Sequence, residues 1–572
     1  MERTTTAPDM SAPPPTIAAA LRDRAADSPE RIFLRAGDDR WSFAETYREA
    51  SRYANFFLAQ SHAVSARPFH VGVLMDNLPA FVFAELGCAL TGLAMVGLNP
   101  TRTGSALARD IEYSDCQLVL VEARYATQLR DAVGVDTPLR VFTVDGDGGT
   151  GWPAIESTLA AVDSSDPQVA VDPNALLMIV FTSGTTRAPK GVLNSQGRLA
   201  MLGWGASRFM CQFTADDIVY CAMPLYHANA QILAFAPPLL AGGGVALARR
   251  FSKSAFLGDV RRYGATLFNY VGNPLAYIMD TPEQPDDADN PLRLAYGNEA
   301  PRQYIADFAR RFGCAVLDGY GSSEVGVGFS RTESDPPRSL GRAPGVKILS
   351  EDGSECATAR FDAAGRLENA DEAVGEIVNT AGQSFFEGYY KDDEATRERT
   401  RNGQFHTGDL GYMDADGYIY FAGRDAEWLR VGGENFLARP IEEILARHPN
   451  VVLASVYGVP DAEAGDQVMA AIAWQESAPF DPTGFARFLD SADLPPRWRP
   501  TFVRVAQELA ATHTNKILKR TLRREKFLVD RIADPIYWRP RGATEFRPFT
   551  GDDLAALRER FQRAGYADRL DE

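Results

Sequence analysis

Short apolar runs rich in β-branched residues alternate with amphipathic stretches along most of the chain. Cys116-Gln-Leu-Val-Leu-Val, Leu139-Arg-Val-Phe-Thr-Val and Leu176-Leu-Met-Ile-Val-Phe read as strands. Gln303 to Phe312 reads as an amphipathic helix ahead of the strand-like Ala315-Val-Leu. Strands separated by helices of this size predict an α/β architecture with largely parallel sheets. The longest apolar stretch, Ala80 to Leu98, contains Glu85 together with glycines and threonine. It reads as a buried helix running into a strand, not as an integral membrane segment. The texture changes near residues 424–426. Beyond that point the pattern predicts a helix over Pro440–Arg447 and strands over Val451–Val459 and Gln467–Trp474. A helix over Thr483–Leu489 and a strand over Thr501–Val505 follow. That is an α+β unit of small-domain size, so the chain is divided into 1–424 and 425–572. A last helical segment, Asp552 to Ala564, is charged on most faces and is expected to pack on the small domain.

Composition narrows the classes of function. At 572 residues the chain is too long for one hydrophobic core, which agrees with the division. Hydrophobic residues make up 45% and charged residues 24%, the balance of an ordinary soluble protein. The formal net charge of −17 argues against a nucleic-acid partner, because phosphate-backbone binding needs clustered Lys and Arg. Small anionic ligands need only a local set of donors. The six cysteines are scattered without metal-ligand spacing, so neither a zinc site nor a disulfide framework is expected. The polar, proline-rich start of the sequence lacks a signal-peptide core, and free thiols suit a reducing cytoplasm. A cytoplasmic location is the expectation.

The sharpest chemical signal is Phe181-Thr-Ser-Gly-Thr-Thr-Arg-Ala-Pro-Lys-Gly191, directly after an apolar strand. Glycines let backbone N–H groups approach closely, hydroxyls donate hydrogen bonds and a lysine adds charge, a combination suited to polyphosphate. Pro189 stands where a Walker A loop has glycine, so the loop is not of that kind. Downstream lie Tyr320-Gly-Ser-Ser-Glu324, Phe405-His-Thr-Gly-Asp409, Gly423-Arg424, Val431-Gly-Gly-Glu-Asn435 and Thr514-Asn-Lys516-Ile-Leu-Lys-Arg. Seen alone, Asp409 would read as a turn residue, Glu324 as a helix-start carboxylate and Lys516 as one cation of a solvated run. Only their joint order lifts them above those readings.

Taken in this order, the motifs resemble those of the adenylate-forming superfamily, which includes acyl-CoA synthetases, luciferases and peptide-synthetase adenylation domains. The resemblance covers nearly the whole chain. It implies a large N-terminal domain of α/β sheets with a β-barrel-like part, and a small mobile C-terminal domain. It implies the use of ATP, magnesium and coenzyme A to activate a carboxylic acid. By resemblance, Thr182, Ser183, Gly184, Thr185, Thr186, Lys190 and Ser323 would hold the phosphates, and Glu324 would ligate magnesium, a hard cation suited to carboxylate oxygen. Gly297, Asn298, Glu299 and Tyr320 would surround adenine, Asp409 and Arg424 the ribose. Lys516 would bridge the carboxylate and the α-phosphate. In relatives the small domain then rotates and brings a glycine turn, here Gly432 and Gly433, to the active site to admit the pantetheine arm.

The sequence departs from the family pattern at a few places. Arg187 stands where glycine is usual, which puts the loop's geometry in question. Ser323 replaces threonine, Asn515 replaces glycine and Ala426 replaces an acidic or basic hinge residue. The segment Pro224-Leu-Tyr-His227 resembles one where relatives place a gate beside the acyl site, although a lone histidine is as often structural. His227, Trp204, Ala230, Gln231, Tyr270, Val271 and Gly272 are expected to wall the acyl pocket. They are mainly apolar and offer no cation for a second carboxylate, so a hydrophobic acid is favoured. Trp428 to Asn435, the segment around Lys516, and Tyr537-Trp-Arg-Pro are similar to the fatty-acid-transport-protein-like branch, whose acids include long-chain and polycyclic ones. With no carrier-protein domain in the sequence after the small domain, free coenzyme A is the expected acceptor. The alternatives are a ligase that loads a separate carrier protein and a non-catalytic nucleotide- or acyl-binding protein. A homodimer would be unsurprising.

Overall fold

The structure is a computed structural model that describes residues 12–63, 68–182, 189–331, 334–336, 338–363, 365, 367–423, 428–431, 434–461, 466–492, 494–512 and 516–570. The expected apolar runs become strands Cys116–Glu122, Arg140–Val144 and Leu176–Phe181, and the amphipathic stretch becomes helix Gln303–Phe312. The apolar segment that was read as helix then strand is helix Pro79–Thr91 followed by strand Ala94–Gly97. No helix among the described residues is long and apolar enough to cross a membrane.

Two large sheets carry the N-terminal half of the chain. The six-stranded sheet is parallel except for its last hairpin, Leu176–Phe181 with Gly191–Ser195. The eight-stranded sheet is parallel at its centre, where Leu267–Val271, Leu294–Asn298 and Ala315–Gly321 lie side by side. Its edges are the antiparallel strands Gly328–Ser330 and Asp39–Ser42. Strands covered on both faces need apolar side chains throughout, and Leu267–Val271 and His70–Leu74 are buried at every position. Helices Phe43–Ser61, Pro79–Thr91 and Gln196–Gly205 contribute to the largest apolar cluster, together with strands of both sheets.

A four-stranded antiparallel sheet follows, formed by Val346–Leu349, Gly375–Asn379, Phe405–Met413 and Ile419–Gly423. It is the β-rich region added to the α/β sheets. Beyond it come the hairpin Trp428–Val431 with Glu434–Leu437 and a five-stranded sheet that begins with Val451–Pro460 and Asp466–Trp474. Helix Gly551–Arg563 has Thr550 as a capping-box residue and buries Leu554, Leu557 and Phe561. Those side chains join the cluster formed on the five-stranded sheet, so the helix has an apolar stripe that its charge had obscured. Ala276, Tyr277 and Tyr304 of the large unit pack on that same cluster. The Tyr304 hydroxyl also donates to the Val452 carbonyl at 2.9 Å.

Candidate functional site

Parallel strands point their carboxyl ends the same way, and in open α/β sheets that edge is where ligands collect. Here the ends of Leu267–Val271, Leu294–Asn298 and Ala315–Gly321 bring Gly272, Gly297, Asn298, Glu299 and Tyr320 to one edge. Gly297 is dictated by close approach: a Cβ there would sit 1.9 Å from the Tyr270 carbonyl oxygen. Gly272 donates its N–H to the Asn298 carbonyl at 2.8 Å. The Asn298 side chain accepts from Asn229 at 3.0 Å. Glu299 adopts φ 64, a left-handed backbone that is costly for a residue with a Cβ and recurs at functional sites.

The small domain enters at this edge. Lys516 Nζ lies 2.7 Å from Glu299 Oε1, in an ion pair with side chains 41% and 51% exposed. Behind it Asp318 is half-buried, accepting from the Ala300 N–H at 2.9 Å and the Tyr270 hydroxyl at 3.1 Å. Burial pushes its carboxyl up to about 6, helped by the nearby Glu299 and opposed by those hydrogen bonds.

Gly326 would overlap the Phe405 ring if it had a Cβ, with the nearest ring atom at 2.2 Å. That contact seats the Tyr320–Glu324 loop on the strand that carries Asp409. The Tyr320 hydroxyl donates to Asp409 Oδ2 at 2.5 Å. Gly408, at φ 69, turns the chain before Asp409, and Glu376 fixes the turn by accepting from the Gly408 N–H at 2.8 Å. Glu376 also meets His406 at 2.8 Å and Arg401 at 2.6 Å.

Glu324 is buried, and its Oε1 accepts from the Tyr389 hydroxyl at 2.7 Å. Lys190 Nζ stands 4.9 Å from the Tyr389 ring centroid. Thr182 and Lys190 meet at the base of the loop between strands Leu176–Phe181 and Gly191–Ser195: the Thr182 N–H donates to the Lys190 carbonyl at 2.9 Å, and the Thr182 hydroxyl accepts from the Lys190 N–H at 3.3 Å. Arg198, from the helix after the loop, donates to the carbonyls of Ser323 at 3.1 Å and Glu324 at 3.0 Å, and to that of Phe385 at 2.6 Å. Burial brings its guanidinium down to about 10, with Glu387 and Glu324 opposing.

The expected site residues therefore fall into distinct groups. Lys190, Ser323 and Glu324 meet around Tyr389 and Arg198, and Tyr320 meets Asp409. Gly297, Asn298, Glu299 and Lys516 meet at the sheet edge. Ser183, Gly184, Thr185, Thr186, Arg187, Arg424, Ala426, Gly432, Gly433 and Asn515 lie outside the described residues. Of the expected pocket walls, Trp204 and His227 are half-buried, and Trp204 packs edge-on against the exposed Phe209. Ala230, Gln231 and Tyr270 are closed off, at 0%, 1% and 0% exposure. Tyr270 turns into the cluster under the eight-stranded sheet. Gln231 donates to the buried Glu85 at 3.0 Å and to the Leu225 carbonyl at 2.6 Å. These three side chains face packed protein, not open space. Burial in the core, with close polar partners for Gln231 and Tyr270, outweighs the motif neighbourhood that suggested a wall.

A cavity of about 180 Å³ opens beside this segment, with Tyr226, Pro224, Arg249, Arg250 and Thr512 among its lining residues. The buried Asp76 holds Arg124 at 2.8 Å and Arg250 at 2.9 Å, and the buried Glu122 holds Arg249.

The sequence reading missed Arg198, Glu376, Tyr389 and Arg399. Arg198 alone gave a local signal, a cation within an otherwise apolar helix segment. Tyr389 sits in an aromatic run and Arg399 in a charged one, patterns that read as core and as solvated face.

Comparison with known proteins adds to this geometry. The AMP-binding enzyme family matches residues 21–390, and the AMP-binding enzyme C-terminal domain matches residues 440–516. Steroid-22-oyl-CoA synthetase of Rhodococcus jostii RHA1 is 44% identical over 561 residues, covering 96% of this chain and 98% of the relative. The medium/long-chain-fatty-acid–CoA ligase FadD17 of Mycobacterium marinum is 44% identical over 467 residues, covering 80% of this chain and 86% of the relative. Among solved structures, the anthranilate CoA ligase AuaEII in complex with anthranoyl-AMP superposes with a TM-score of 0.77 at 18% identity, covering 90% of this chain and 98% of that one.

Proposed function

The chain belongs to the AMP-binding enzymes and is an ATP-dependent acid–CoA ligase working through an acyl-adenylate, and we propose that its acid is large and hydrophobic, a steroid-type side-chain acid before a medium or long fatty acid. The order of preference rests on extent: both named relatives are 44% identical, but the steroid-22-oyl synthetase matches over 96% of the chain against 80%. The apolar character of Trp204 and Phe209, which are not closed off in the core, supports a hydrophobic acid.

The single observation that carries the catalytic reading is Lys516 at the sheet edge, 2.7 Å from Glu299. In the first half-reaction a carboxylate oxygen bonds to the α-phosphorus of ATP, and the bond from that phosphorus to the pyrophosphate oxygen breaks. Charge builds on the phosphoryl oxygens, so alignment and fixed positive charge are the main contributions a protein can make. In this reading Lys516 leaves Glu299 for the α-phosphate and the incoming carboxylate. Lys190 and the loop Thr182–Thr186 hold the outer phosphates, Asp409 accepts from the ribose hydroxyls, and Arg424 donates to a ribose oxygen. Tyr320 faces the base. Arg198 holds the Ser323–Glu324 backbone in register. In the second half-reaction the thiol sulfur of coenzyme A bonds to the acyl carbon and AMP leaves. The cavity lined by Arg249 and Arg250 suits the phosphates of that thiol carrier, and it reaches Thr512.

Magnesium fits the donors present. No group of three or more His, Cys, Asp or Glu gathers among the described residues, which suits a cation held mainly by substrate phosphates plus one carboxylate. Glu324 would supply that carboxylate, and the ion would neutralise charge on the triphosphate. The boundary near residue 424 and a small domain that turns between half-reactions belong to the same reading. So does a cytoplasmic location, supported by six free cysteines, five of them buried.

ATP–pyrophosphate exchange with steroid-type, long, medium and short fatty, and aryl acids tests the proposal. Exchange strongest with polycyclic acids is expected, and exchange confined to small polar acids would overturn it. Lys516→Ala should abolish exchange while ATP binding by calorimetry persists. Unchanged exchange in that variant would remove Lys516 from the chemistry.

A further inference from the structure

Tyr389 lies at the centre of a charged group that no motif brought together. Its side chain is buried, at 3% exposure. Its hydroxyl donates to Glu324 Oε1 at 2.7 Å, and Arg399 Nε donates to the same hydroxyl at 3.2 Å. Arg399 Nη1 in turn donates to the His406 carbonyl at 2.9 Å, on the strand that carries Asp409. On the other side, Lys190 Nζ stands 4.9 Å from the ring centroid.

The direction of these bonds follows from chemistry. A guanidinium has donors and no acceptor, so Arg399 must use the phenol oxygen as acceptor. The phenol proton is then left to point at Glu324, whose ionised carboxylate can only accept. Burial and the Glu324 charge both keep the phenol protonated. Arg399 holds its charge against burial because Tyr389, Glu324 and Asp409 surround it. A carboxylate gripped at one oxygen by a hydrogen bond of fixed direction has lost its freedom to rotate. Outer partners of this kind are what orient a metal-ligating carboxylate.

We propose that Tyr389 is a positioning residue that, braced by Arg399, fixes the rotation of the Glu324 carboxylate and seats Lys190 over its ring, so that both charges are preset for a metal-bound triphosphate. The inference rests on the reading of Lys190 and Glu324 as the ATP site. Replacing Tyr389 by phenylalanine keeps the ring, its packing and the cation–ring contact, and removes only the hydroxyl. The full-length protein and Tyr389→Phe are titrated with Mn2+ in the presence of α,β-methylene-ATP, with free Mn2+ read by electron paramagnetic resonance. The Mn2+ dissociation constant is expected to rise about tenfold, the low end for loss of an outer partner. In exchange assays, KM for Mg·ATP should rise with it while kcat falls less. Arg399→Lys, which keeps the charge but loses the Nε donor, should move both readouts the same way by a smaller factor. A Mn2+ dissociation constant unchanged in Tyr389→Phe, with an unchanged melting temperature, would reduce Tyr389 to packing and overturn the proposal. If Tyr389→Phe does not fold, the same criterion applies to Arg399→Lys. Should the unaltered protein itself bind no Mn2+ with the analogue, the ATP-site reading falls first and this inference with it.

Discussion

Gly297 and Glu85 show how much single positions can decide, one at the sheet edge and one in the core. Gly297 faces the Tyr270 carbonyl so closely that a Cβ would come to 1.9 Å from the oxygen. Gly297→Ala must therefore push apart a pair of hydrogen-bonded strands at the edge that carries Asn298 and Glu299. Overpacking of this kind costs about 1–3 kcal/mol, and the strain falls on the proposed adenine wall. KM for ATP is expected to rise at least about tenfold, checked by exchange kinetics, with a modest fall in melting temperature. Glu85 is buried among apolar side chains, and burial pushes its carboxyl from the ordinary 4.5 up to about 8 although Gln231 donates to it. At neutral pH it is protonated, with Oε2 accepting from Gln231 Nε2 at 3.0 Å. A raised carboxyl contributes stability that is complete below its unfolded value and is lost as pH rises through the folded value. Glu85→Gln removes the titration. The melting temperature of the unaltered protein should therefore drop relative to Glu85→Gln between pH 6 and pH 9, and parallel curves would refute the assignment.

At the scale of elements, helix Gly551–Arg563 shows why charge alone misleads. Its sequence is rich in Asp, Glu and Arg, yet Leu554, Leu557 and Phe561 recur at helical spacing and are buried. Phe561 is fully buried in the cluster on the five-stranded sheet. Phe561→Ala should destabilise the small domain by about 3–5 kcal/mol, the usual cost of emptying such a site. Calorimetry should show a lowered transition, with exchange lost at temperatures where the unaltered enzyme still works. A melting curve unchanged by this substitution would mean the helix contributes no packing.

At the scale of the whole molecule, the small domain is docked by modest contacts. The Lys516–Glu299 pair is about half exposed, and such pairs contribute about 0–1 kcal/mol. The Tyr304–Val452 hydrogen bond adds about 1 kcal/mol, beside a small apolar contact through Ala276 and Tyr277. Contacts of this kind would suit the proposed turn of the small domain between half-reactions. The double variant Glu299→Gln, Tyr304→Phe removes about 1–2 kcal/mol from the docked arrangement, which corresponds to about a tenfold fall in its population. Exchange should slow by about that factor, while thioester formation from supplied acyl-adenylate should not slow. Equal losses in both half-reactions would show that the contacts serve general stability instead.

Much of this was legible in the sequence because it rests on local patterns. Strand and helix periods predicted helix Gln303–Phe312 and the succession from Arg439–Leu445 to Phe502–Ala506, since burial of one face is written in residue spacing. The order of the motifs that carry Lys190, Glu324, Asp409 and Lys516 pointed to adenylation through their resemblance to the adenylate-forming superfamily. What the sequence could not decide were contacts between segments far apart in the chain. Tyr389 touches both Glu324 and Arg399, Arg198 reaches Ser323, and Gln231 turns to Glu85 instead of a pocket. Those partners are chosen by how the sheets and their helices close on one another, and by the cost of leaving a buried polar group unpaired. Hydrophobic spacing therefore determined the elements and the motif resemblance the reaction, while the tertiary packing alone decided which distant side chains meet around the proposed site.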